Sequence, residues 1–129
     1  MKKLFLITLW ALLGAALVQA APLSDSDKQF LARYENIRAA LAADDLAAAK
    51  TAAVDLGEEG APLAKSNSLK EARAAFERLS AKAKELAAGQ SGYYVVNCPM
   101  LKKDWVQTSE KIANPYYGKE MLSCGEIKK

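Results

Sequence analysis

Between Ser24 and Gly89 apolar residues return every three or four positions, a period that commits this stretch to amphipathic helices. Phe30, Tyr34, Ile37 and Leu41 step by four, three and four along one stripe, and Ser24 or Ser26 stands where its cap belongs. Asp44 or Asp45 then suits the cap of a second helix with the stripe Leu46, Ala49, Ala53 and Leu56. Gly57, Gly60 and Pro62 mark a connection. Ser68 followed by Glu71 matches a capping box, and Leu69, Ala72, Phe76, Leu79, Ala83 and Leu86 form a third stripe that Gly89 stops. The opposite faces carry Lys, Arg, Glu and Asp, while alanines in the seams permit close approach. The expectation for 24–89 is a mainly α fold, an up-down helical bundle of three helices that serves as a scaffold.

The stretch 90–129 has a different character and is expected to be a short irregular C-terminal motif. Tyr93 to Val96 are aromatic and β-branched, which favours one short extended segment. Asn114 before Pro115 reads as a cap and first helical position, opening one short helix toward Leu122 that Gly125 ends. Trp105 is expected to pack over the end of the bundle.

The first twenty residues read as a secretory signal. Lys2 and Lys3 give a basic start, Leu4 to Val18 carry no charge, and Val18 and Ala20 are placed like residues before a cleavage site. That apolar run is shorter than the roughly 20 residues of a membrane span, so no stable membrane insertion is expected after cleavage. The organisation is therefore 1–20 signal peptide and 21–129 a single domain, periplasmic or secreted. Without Lys2 and Lys3, sixteen basic residues face fifteen acidic ones, and no basic stripe is left for nucleic acid.

The chain has no histidine, which removes imidazole-based catalysis and histidine metal sites. Glu58 with Glu59, and Asp44 with Asp45, are adjacent in sequence and point apart on a helix, so capping and solvation explain them better than acid–base work. No enzymatic activity is expected.

Beyond the initiator methionine, all the sulfur lies in two short pairs: Cys98 with Met100, and Met121 with Cys124. One reading is a disulfide between Cys98 and Cys124, which an oxidising compartment and an even count invite, with the methionines as core filler. The other is a soft-metal site in which Cys98, Met100, Met121 and Cys124 converge on copper(I) or silver(I). The two compete for the same atoms, because oxidised cysteines are poor ligands. A redox pair has less to support it, since there is no Cys-x-x-Cys.

The C-terminal segment resembles the exported bacterial family catalogued as domain of unknown function 3347. The residues that carry the likeness are Tyr94 to Met100, Trp105-Val106-Gln107 and the run from Ile112 to Glu126, with Leu41 to Leu46 and Phe76 to Ser80 similar in the helical half. Such domains stand alone or are fused to periplasmic adaptor subunits of heavy-metal efflux systems. The resemblance implies a metal-handling or efflux-accessory role, with an efflux adaptor or another envelope protein as partner.

Overall fold

A computed structural model describes residues 21–129, so the signal reading of 1–20 lies outside the described residues. Ser24 caps α1 (Asp25–Ala42), its hydroxyl accepting the Asp27 N–H at 3.1 Å. All four predicted stripe residues, Phe30, Tyr34, Ile37 and Leu41, are buried. Asp45 caps α2 (Leu46–Val54) through the Ala48 N–H. Asp44 instead takes the left-handed backbone, φ 57°, that reverses the chain between the helices. On α2 only Ala49 and Ala53 are fully enclosed, and Leu56 falls past the helix end.

The expected connection contains a helix of its own, a single turn α3 (Ala61–Ala64), with Pro62 early in it, where a missing N–H costs nothing. Gly60 leads into it because the site has no room for a side chain: an added Cβ would strike the Ala53 carbonyl. Ser68 caps α4 (Leu69–Ala87), and the Glu71 carboxylate reaches back to the Asn67 N–H at 2.8 Å, closing a variant of the expected box. The helical part thus has four helices rather than three.

The C-terminal motif is more regular than the sequence suggests. In place of one extended segment there is a three-stranded antiparallel sheet in the order β2-β1-β3, with β1 (Tyr94–Cys98), β2 (Lys103–Gln107) and β3 (Glu126–Ile127). The short helix after Pro115 is a single 3-10 turn at Gly118–Met121. The molecule is mainly helical with this small sheet laid against α4, and one core runs through both parts. Tyr34 stacks on Phe76 with centroids 4.7 Å apart, and Tyr116 lies against both Phe76 and Trp105. Trp105 is fully buried within this core. Among the described residues no helix is long and apolar enough to cross a membrane.

Candidate functional site: the bridged motif and its polar seam

Cys98 and Cys124 are joined in a disulfide, with their Cα atoms 5.5 Å apart. The sheet puts them there. Val96 pairs with Ile127 and Asn97 with Glu126, so the next position opposite Cys98 is Gly125, one residue from Cys124. Gly125 is required at that spot: a Cβ would lie within 3 Å of Val96, Ile112 and Trp105 side-chain atoms. The return of the chain to this point is fixed by Asn114, which is wholly buried. Its side-chain amide donates to the Cys124 carbonyl at 3.0 Å, its backbone N–H donates to the Leu122 carbonyl at 2.8 Å, and its side-chain oxygen accepts the Tyr116 N–H. Asn114 therefore does more than cap; it clasps the segment from Asn114 to Cys124 into a closed turn.

Of the four sulfur residues singled out by sequence, the structure joins Cys98 and Cys124 and leaves the methionines flanking them along the chain. Met100 sits in the β1–β2 turn and is 76% exposed, so it is not core filler. Met121 closes the 3-10 turn and is half-buried, its carbonyl accepting the Cys124 N–H. In the bridged state neither cysteine offers a thiolate. Among the described residues, no group of three or more His, Cys, Asp or Glu is placed to hold an ion.

The seam between α4 and the motif is polar and closely bonded. Ser80 lies four residues after Phe76 on the buried stripe and meets both the Tyr34 and Tyr116 hydroxyls at 2.8 Å. The Tyr34 oxygen also accepts the Val106 N–H at 3.2 Å. Burial, with some help from neighbouring Tyr116, pushes the Tyr34 phenol far above its ordinary range, and burial does the same to Tyr116. Both stay protonated and act as hydrogen-bonding posts. Two arginines tie the helices to the loop: Arg38 donates to the Ala113 carbonyl while gripping Glu35, and Arg73 donates to the carbonyls of Pro115 and Leu41 and to Asp44. The Arg73 bond, with the Lys119 N–H, lowers the Asp44 carboxyl below its ordinary value.

Asp104, at the start of β2, is the most heavily engaged carboxylate. Lys84 and Lys128 both donate to its Oδ2, at 2.7 and 2.8 Å, and Asn97 donates to Oδ1 at 2.6 Å. Burial alone would raise its pKa, but these hydrogen bonds outweigh it and hold the carboxyl far below the usual range. Beside this cluster, between α4 and the β1–β2 hairpin, opens a cleft of about 460 Å3. Asp104, Ser80, Arg38 and Arg73 were not marked out by sequence. The one available signal was Ser80, a serine at core spacing in an otherwise apolar stripe.

Fold and site together define a small, mainly helical chain whose C-terminal sheet motif is stapled by one disulfide and bolted to α1 and α4 by buried hydroxyls and by the guanidinium groups of Arg38 and Arg73. No family model, curated protein or solved structure matches the chain, so the family resemblance stands on the residues quoted for it alone.

Proposed function

We propose that this chain is an exported, non-enzymatic accessory domain of the bacterial envelope, in which the helices are a scaffold and the bridged motif meets a partner protein. The Cys98–Cys124 bridge carries the reading. Bridges of this kind persist in oxidising compartments, in keeping with the signal-like start, and this one consumes both thiols in a framework role. The likeness to domains that accompany efflux adaptors supports an adaptor or another envelope protein as the partner. Tyr117, 39% exposed, is the aromatic side chain of the motif most open to such contact, while Tyr116 is turned inward. Intact-mass measurement after expression with the native first twenty residues tests the reading. The expected product starts at Ala21 and lacks the two cysteine hydrogens. Uncleaved protein with free thiols would overturn it.

A second reading, soft-metal handling, is favoured by the exposed thioether of Met100 two residues from the bridge. In a reduced chain Cys98, Cys124, Met100 and Met121 supply the sulfur ligands that copper(I) or silver(I) prefers. Copper(I) titration of reduced protein against a competing chelator decides it. Equal affinity in a Cys98→Ser, Cys124→Ser double variant ends the metal reading and leaves the first intact.

A further inference from the structure

The cleft beside Asp104 has a charge balance that a purely structural ion cluster does not need. Four lysines line it: Lys84 from α4, Lys102 and Lys103 from the hairpin, and Lys128 after β3, against the carboxylates of Asp104 and Glu77. Lys103 pairs with Glu77. Lys84 and Lys128 share one oxygen of Asp104, so two ammonium groups stand within two hydrogen-bond lengths of each other with one negative charge between them. Lys102 has no ion-pair partner among the described residues. The lining is thus two positive charges in excess.

Two like charges on one carboxylate repel, and a second anion relieves that repulsion. Each ammonium has three N–H donors and no acceptor, so Lys84 and Lys128 keep donors beyond those given to Asp104. Asp104 cannot supply that second anion, because it is the one carboxylate the two lysines already share, with Asn97 bonded to its other oxygen. The donors come from three separate elements around one opening whose volume, about 460 Å3, suits a small molecule.

We propose that this cleft binds a small organic anion with two negative charges, a dicarboxylate or a phosphate monoester, held between the Lys84–Asp104–Lys128 cluster and Lys102. Neither Tyr117 nor any cysteine or methionine lines the cleft, so the site is separate from the exposed aromatic and the sulfur ligands of the two readings above.

The test is an NMR titration of the oxidised protein at low ionic strength, with succinate, glycerol phosphate and, as the singly charged control, acetate. One doubly charged probe is expected to saturate, with shifts centred on Asn97 and Lys102 to Asp104, and acetate to bind about tenfold more weakly or worse. Whichever of succinate and glycerol phosphate saturates first identifies the anionic group. Lys102→Gln, in a solvent-exposed turn where it disturbs no ion pair, is expected to weaken binding about tenfold, and Lys84→Gln at least as much. Lys28→Gln on the exposed face of α1 is expected to leave it unchanged. The proposal is overturned by the absence of saturable binding below about 10 mM, by acetate binding as well as the divalent probes, or by Lys102→Gln behaving like Lys28→Gln.

Discussion

Breaking the Cys98–Cys124 bridge should cost the domain a large share of its stability, and the size of the loss follows from the loop it closes. The cysteines are 26 positions apart. On a chain-entropy reckoning, opening a loop of that length returns about 3.5 kcal/mol of disorder to the unfolded chain. Small domains are stable by only about 5–15 kcal/mol, so this decides whether a marginal one stays folded. For a chain of about 110 residues the same loss lowers the melting temperature by about 15 °C. A Cys98→Ala, Cys124→Ala variant should lose about 1 kcal/mol more, because Cys98 is fully buried beside Val96 and Trp105 and its truncation leaves a void. Scanning calorimetry with and without a phosphine reductant measures the first quantity, and the variant gives the second. Melting that shifts by less than about 3 °C on complete reduction would refute the reasoning, since it would mean that residual structure already holds the loop closed in the unfolded ensemble.

Replacing Asp104 by Asn leaves Lys84 and Lys128 without their shared anion and should cost about 1 kcal/mol at pH 7, a modest figure because both lysines are more than a third exposed. The sign of the pH dependence is fixed by the depressed folded carboxyl: its contribution is complete above the ordinary unfolded value near pH 4 and fades as the pH falls toward the folded one. Urea melts should therefore show a gap between parent and variant that narrows from pH 5 to pH 3 (about one unit either side of that value), and a constant gap would refute the assignment. Tyr34→Phe removes one of the two hydroxyls bonded to buried Ser80 and the side-chain acceptor of the Val106 N–H, and should cost about 1–3 kcal/mol in the same assay, with a loss below about 0.5 kcal/mol counting against the hydroxyl seam. Gly118→Ala and Gly57→Ala share a left-handed backbone, φ 61° and 62°, but only the former drives a Cβ into Asp44 and Arg73 while the latter meets open space. Thermal melts should show Gly57→Ala losing about 1 kcal/mol and Gly118→Ala clearly more; equal losses would mean that the loop gives way freely.

The helices were legible where burial follows period. Phe30, Tyr34, Ile37 and Leu41, then Ala72, Phe76, Leu79 and Ala83, all face the core, and the serine and aspartate caps sit where their chemistry places them. The strands were harder to see. β2 is Lys-Asp-Trp-Val-Gln, and its last three residues are all buried rather than alternating. Gln107 is enclosed because its side-chain oxygen accepts the Trp105 indole N–H and its amide donates to the carbonyls of Ser109 and Lys111, a pairing no period can announce. After Asn114 the expected helix is reduced to a 3-10 turn, with Asn114 and Pro115 buried in the core; the Asn114 oxygen still accepts the Tyr116 N–H, while its amide is turned to the Cys124 carbonyl. Cys98 and Cys124 were legible as partners, with their redox state left open. The Asp104 cluster was not, since Lys84, Asn97, Asp104 and Lys128 lie far apart in the sequence and meet only through the sheet.

The change of character near Gly89 looks like a place where a protein engineer would divide the chain, yet the hydrogen bonds of Arg38, Arg73, Tyr34 and Ser80 all cross that line. A fragment stopped there would take the Ala113 carbonyl from Arg38, the Pro115 carbonyl from Arg73 and the Val106 N–H from Tyr34, and would bare the flank of Phe76 that Tyr116 shields. The helices and the sheet thus share one core and one set of hydrogen bonds, and a cut between them exposes both.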